Sequence, residues 1–242
     1  MAVGRESAEG QCVLVITNRL GMLSVSAALA LRQAGFRPEV ALMRAAAGRR
    51  GSVRDTIANY GLTYTIERIA DAALRVSWLI LARCEWRQLE VHEVPAGDWD
   101  GLARLADRKR AAALVSASFA YRFPPHVIGR HKLLLNLHPA PLPDWRGADP
   151  IYWMLRRRET VFGVTLHAVA EKFDEGDVFF SALAQPRFRF SRGLVELCLS
   201  RVAKSHLGDW MSAIIRGDVV PRSQGTGTYW PLPTKRNQCE LL

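Results

Sequence analysis

The sequence is short of several features that would settle a function at once. Its four cysteines, Cys12, Cys84, Cys198 and Cys239, are scattered without a C-x-x-C pair. Neither a zinc site nor a disulfide framework is indicated, no metal is expected, and the thiols read as reduced and structural. No segment reaches about 18 uninterrupted apolar residues, and Met1 to Gln11 carries charges where a secretion signal has its apolar core. The expectation is a cytoplasmic protein without a membrane partner. Acidic residues are also scarce, 23 Asp and Glu against 33 Lys and Arg, for a formal charge of +10. That excess concentrates anionic partners, whether phosphorylated metabolite, nucleotide or nucleic acid, without choosing among them. A solvated, arginine-rich surface explains it equally well.

A G-x-G-x-x-G fingerprint is missing as well. The apolar run Cys12 to Thr17 is followed by Thr17-Asn18-Arg19-Leu20-Gly21, which does not support a dinucleotide site. The turn still lies where α/β proteins bind ligands, so Asn18 is a candidate substrate contact.

What is present describes an ordinary globular chain, 242 residues long, 49% apolar and 23% charged. Cys12 to Thr17, a helix over Met22 to Gly35 closed by its glycine, and a strand over Pro38 to Met43 form a βαβ unit, hence a parallel sheet. Residues 44 to 75 read as a basic Gly-containing patch followed by one helix. Val76 to Ala82 fits a strand or a buried helix segment, because short apolar runs do not separate the two. Asp98 to Arg110 reads as a helix, Ala111 to Ser116, Leu133 to His138 and Val161 to Ala170 as strands, and Leu194 to Gly217 as a long helix. The fold class expected is α/β, a Rossmann-like, mostly parallel sheet flanked by helices. Residues 1–190 would form the main domain and 191–242 a C-terminal helix and tail packed on it.

The chemistry gathers at Leu133-Leu134-Leu135-Asn136-Leu137-His138-Pro139. With period two, Leu134, Asn136 and His138 share one strand face. Pro139 cannot donate to a ladder, so the strand ends at His138, where ligands of parallel sheets bind. A neutral imidazole accepts a proton near pH 7, and a carboxamide N–H stabilises an oxygen gaining charge. Phe173-Asp174-Glu175-Gly176-Asp177 follows the next expected strand, and an Asp there can orient and support the imidazole. Taken separately, N-x-H and FDEGD read as loop-satisfying polar groups and a turn. His167 reads as a structural histidine of its strand. Arg156 to Arg158 cannot share one helix face and read as solvated surface. Gly225 to Pro233 reads as a packed C-terminal loop.

Taken together, Asn136-Leu137-His138-Pro139, Leu142-Pro143, Trp145-Arg146-Gly147-Ala148, Pro150, Gly163-Val164-Thr165 and Phe173 to Asp177 resemble the folate-dependent formyltransferases. That family includes the methionyl-tRNA, glycinamide ribonucleotide and sugar-nucleotide N-formyltransferases. The resemblance is strong over roughly a third of the chain, between Ala113 and about Ser181, and implies the formyltransferase fold. It implies Asn136, His138 and Asp174 as catalytic residues and 10-formyltetrahydrofolate as donor, with no metal. The acceptor would be a primary amine or hydroxylamine of a small metabolite, such as an amino sugar nucleotide or a specialised-pathway intermediate. Tyr121, Arg122 and Phe123 would line one wall of the folate pocket and Ala170 and Glu171 the other. Arg146 would bind an anionic group of the acceptor. Ala140 departs from the serine common in the family, and TNRLGML replaces the phosphate-holding turn of the glycinamide ribonucleotide enzyme. A nucleic-acid partner is disfavoured and a homodimer is open. The alternatives are a formyl-folate hydrolase and a non-catalytic protein of the same fold that binds nucleic acid through its basic surface.

Overall fold

The computed structural model describes residues 9–44 and 52–240. Most of the basic patch expected after Arg44 lies outside them. The fully buried β1 (Cys12–Thr17) leads into α1 (Met22–Gln33) and β2 (Arg37–Arg44). A helical stretch follows: α2 (Val53–Tyr60), α3 (Leu62–Leu81) and α4 (Arg83–Trp86). Next come β3 (Glu90–Pro95), α5 (Trp99–Lys109), β4 (Ala113–Ala117), α6 (Pro125–Arg130) and β5 (Leu134–His138). The chain continues through β6 (Arg146–Gly147), α7 (Pro150–Arg156), β7 (Phe162–Ala168), β8 (Val178–Ala184) and α8 (Arg192–Ile215). It ends with β9 (Tyr229–Trp230) and α9 (Lys235–Glu240).

Seven strands form one sheet in the order β3-β2-β1-β4-β5-β7-β8. The first five are parallel, and β7 and β8 run antiparallel at one edge. Strands covered on both faces need apolar residues at successive positions, which is why CVLVIT and ALVSA show no polar alternation. Alternate residues then serve two cores. Val13, Val15, Val115, Leu135 and Leu137 pack with α1 and α8. Leu14, Ile16, Leu114 and Leu134 pack with α5 and α6 on the other face. Leu134 therefore lies opposite Leu135 and Leu137, as the period-two reading of β5 requires.

The structure settles or departs from expectation in three places. Val76 to Ala82, open between strand and helix, is helical: residues up to Leu81 complete α3. The strand expected over Val161 to Ala170 is present as β7 but runs antiparallel to β5. Two strands of this sheet went unread. β3 (EVHEVP) is a largely exposed edge strand, and β8 (VFFSALA) is the edge strand beyond β7. Edge strands carry polar or mixed residues, so the pattern that marks a buried strand is missing from them.

Candidate active site

β5 and β7 deliver the first groups. Their antiparallel register sets Asn136 opposite His167 and His138 opposite Thr165. Beyond His138 the chain turns through Pro139 to Pro143 with a cis Leu142–Pro143 bond. The Thr165 hydroxyl pins that turn, donating to the Ala140 carbonyl at 2.8 Å and accepting from the Leu142 N–H at 3.3 Å. Asp174 enters from the β7–β8 connection with a left-handed φ of 57°. Gly176, two residues on, presses against the Ala168 carbonyl so closely that a Cβ would overlap it, and this approach brings Asp174 back over the strand end.

Asn136, His138 and Asp174 meet. Asp174 Oδ1 lies 3.2 Å from Asn136 Nδ2 and 3.5 Å from His138 Nδ1, while its Oδ2 accepts the Gly147 N–H at 2.8 Å. Gly147 has φ 105° and lies against the Trp230 carbonyl, where a Cβ would collide. The loop that donates this N–H therefore needs glycine at that position. Gln224 closes the far side, donating to the Asp174 and Gly176 carbonyls.

Hydrogen bonding fixes the proton positions. His138 Nε2 is 2.7 Å from the Trp145 carbonyl, a pure acceptor, so Nε2 carries the hydrogen and Nδ1 the lone pair. Complete burial pushes the His138 pKa down, and the neighbouring His167 adds to this, against the pull of Asp174. The imidazole is thus neutral, with its basic nitrogen facing a carboxylate that would stabilise it once protonated. For Asp174, burial alone would raise the pKa, but His138, His167 and the Gly147 N–H outweigh that and hold it to about 2.

His167 is the residue that sequence reasoning missed. Its Nδ1 donates to the Ala168 carbonyl at 2.7 Å, which leaves Nε2 to accept from Asn136 Nδ2 at 3.1 Å. The buried Ser116 hydroxyl donates to Asn136 Oδ1 at 2.8 Å. The carboxamide is held from both ends and its orientation is determined. The available signal was the strand pairing: once β7 is antiparallel to β5, His167 must face Asn136.

These groups open onto a cavity of about 470 Å³. Tyr121, Arg122, Phe123, Val169, Ala170 and Phe173 line one end, with Arg122 lying 5.3 Å over the Phe173 ring. Glu171, expected on this wall, is exposed and lies outside the lining, because the chain turns outward after Ala170. The other end is lined by Asn18, Arg19, Tyr64, Arg68, Asp149, Arg192 and Glu196. Asn18 is committed to structure there: it donates to the Met43 carbonyl and accepts the Ala120 N–H.

Arg146 corrects an expectation. It is buried outside the lining, with its guanidinium donating to Gln224 Oε1 at 3.1 Å and the Gly225 carbonyl at 2.9 Å. It anchors the C-terminal tail and does not face an acceptor. The tail packs as expected, Trp230 stacking on Trp145 at 5.0 Å, and it also sends Tyr229 and Leu232 to the cavity. Ala140 is fully buried outside the lining, so the missing hydroxyl leaves no gap in the cavity wall.

Cations at that second end differ in their pairing. Arg192 is neutralised by Asp149 at 2.6 Å, Asp71 at 3.0 Å and Glu196 at 3.6 Å. Arg19 has no acceptor for its guanidinium among the described residues. Burial, followed by repulsion from Arg68 and Arg75, lowers its pKa to about 10. Away from the cavity, Glu39, Glu90 and His92 approach one another at the opposite end of the sheet. Lys109 Nζ already occupies that cluster, 2.8 Å from Glu39 and 2.7 Å from Glu90.

An open, mostly parallel sheet with a cavity at its strand ends and a buried Asn–His–Asp cluster defines a Rossmann-like fold of the formyltransferase type. Residues 99–185 match the family described as formyl transferase. The methionyl-tRNA formyltransferase of Streptococcus pneumoniae (strain D39) is 26% identical over 132 residues, which are 54% of this chain and 42% of that protein. The chain thus spans about two fifths of the length of the curated relatives it matches. Phosphoribosylglycinamide formyltransferase from Anaplasma phagocytophilum superimposes with a TM-score of 0.61 at 14% identity, covering 91% of this chain and 98% of its own. HypX from Aquifex aeolicus, solved with tetrahydrofolic acid, gives 0.53 at 19% identity, over 91% of this chain and 29% of its own.

Proposed function

We propose that the protein is a 10-formyltetrahydrofolate-dependent N-formyltransferase acting on the amine of a small anionic metabolite. The observation that carries the reading is the meeting of Asn136 Nδ2 and His138 Nδ1 on one oxygen of Asp174 at the wall of a cavity. The amine attacks the formyl carbon, forming a C–N bond and a tetrahedral oxyanion. The Asn136 N–H now given to Asp174 at 3.2 Å is the donor for that oxyanion. His138 Nδ1 takes the proton from the attacking nitrogen, Asp174 stabilises the imidazolium, and the same proton passes to the leaving folate nitrogen as its C–N bond breaks.

The apolar end, with Tyr121, Phe123, Ala170 and Phe173, suits the folate ring. Arg19 and Arg68 replace Arg146 as the groups offered to the acceptor's anionic part, a guanidinium fork matching carboxylate or phosphate. A sugar nucleotide and a carboxylated amine are both acceptors of this kind. The test is formyl transfer from 10-formyltetrahydrofolate to a panel of such amines, beside Asp174→Ala and Arg19→Met. Transfer lost in the first variant and a raised acceptor KM in the second are expected. Formate release that no amine increases would make the protein a hydrolase. Salt-sensitive nucleic-acid binding without any turnover would favour the binding-protein alternative.

A further inference from the structure

α3 is built inside out. Its charged residues, Glu67, Arg68, Asp71 and Arg75, turn toward the protein, where Arg68 lines the cavity and Asp71 is buried against Arg192. Leu74 and Leu79 pack inward, but five other aliphatic residues turn to solvent: Leu62, Ile66, Ile69, Val76 and Ile80 are each between 51% and 60% exposed. An amphipathic helix normally presents the opposite faces.

The outward residues follow a rule. Leu62, Ile66, Ile69, Ala73, Val76 and Ile80 are spaced 4-3-4-3-4, the a/d repeat of a helix that pairs with another helix. The exposed residues beside this seam, Thr63, Ala70 and Ser77, are small and uncharged. On a chain of charge +10, a helix face some 30 Å long without a single charge is one on which identical copies meet without like-charge repulsion.

We infer that the outer face of α3 is a two-fold interface with a second copy of this chain, the two helices packing seam to seam. A second copy is the occupant because the stripe is complementary to itself, as an isologous contact requires. Ala73, at the middle of the seam, lets the two backbones approach. The stripe and its flanks offer on the order of 700 Å² per copy, against ~800 Å² per partner in a standard interface. The helix is already folded onto its own domain through the Asp71–Arg192 pair and the Tyr64–Asp149 hydrogen bond, so pairing does not carry the cost of ordering it. This inference is independent of the proposed activity.

The test is sedimentation of the full chain from nanomolar to ~100 µM, beside Ile69→Glu and Leu183→Glu. Leu183 is a similarly exposed leucine, on the edge strand β8, and serves as control. A wild-type dimer, a dissociation constant raised roughly a hundredfold or more in Ile69→Glu, and no change in Leu183→Glu are expected, with far-UV spectra unchanged in both. A wild type that stays monomeric throughout would overturn the inference. So would a dimer that survives Ile69→Glu, or one that Leu183→Glu disrupts equally.

Discussion

The end of β5 and the inner face of α3 both line the cavity, yet they are organised by different forces. At β5, backbone geometry alone places the chemistry: period two puts Asn136 and His138 on one face, and Pro139 ends the strand beside them. At α3, no backbone rule turns Tyr64 and Arg68 inward. A tertiary ion network does so, with Arg192 of α8 bonded to Asp71 of α3 and to Asp149 at the start of α7, and Tyr64 bonded to the same Asp149. The reacting groups are held by a rigid local element, whereas the acceptor end is held by side chains that must find each other across the chain.

The largest effect that would break this contrast lies at β5. His138→Ala should lower formyl transfer by about 10²–10⁴ while leaving thermal stability nearly unchanged, as seen by single-turnover assay and melting. Arg192→Met should do the reverse. It leaves Asp71 and Asp149 as buried carboxylates without their cation and should cost about 3–5 kcal/mol of stability, measured from the urea midpoint. Equal loss of activity and stability in both variants would mean that the two ends do not differ as described.

The same contrast explains what was legible in the sequence. β1, α1, β2, β4 and β5 were readable because each is a buried element whose pattern follows its own period. The convergence of Asn136, His138 and Asp174 was reachable because strand ends and a Gly-containing loop mark it locally. His167 was read as structural, but its partner Asn136 was out of reach, because that contact depends on an antiparallel pairing that the sequence does not mark. Arg146 was misassigned because its chain neighbours line the site while its own guanidinium follows the tail to Gln224 and Gly225. The inversion of α3 was invisible, since periodicity reveals two faces but not which of them turns inward.

Acid titration sharpens the comparison at intermediate size. Asp174 has a folded pKa of about 2 against 3.8 for the free group, so its contribution is fully present above 3.8. It is lost as pH falls from 3.8 to 2, and amounts to roughly 2 kcal/mol. Asp174→Asn should abolish that loss, so the stability gap between wild type and variant should narrow across this window in urea titrations. His138 acts over a separate range. Its folded pKa lies below the ordinary 6.5, so stability falls as pH drops below 6.5 and the unfolded chain takes up a proton that the folded protein resists. Transfer should nevertheless persist some way below pH 6.5, because the buried imidazole keeps its lone pair there.

The smallest effect tests how finely the β5 end is organised. Ser116→Ala removes the hydroxyl that donates to Asn136 Oδ1 and leaves Nδ2 still bound to His167. The carboxamide keeps its Nδ2 partners and loses the one at Oδ1, at a cost of about 1 kcal/mol. If the amide must point its N–H at the developing oxyanion, that loss appears in kcat as a reduction of roughly fivefold, since about 1 kcal/mol of orientation is surrendered in the transition state. The KM for the folate donor should not move, because Ser116 belongs to the wall behind Asn136 and not to the apolar end. A raised donor KM with kcat intact would instead make Ser116 part of folate binding, and the orientation of Asn136 would then rest on His167 and Asp174.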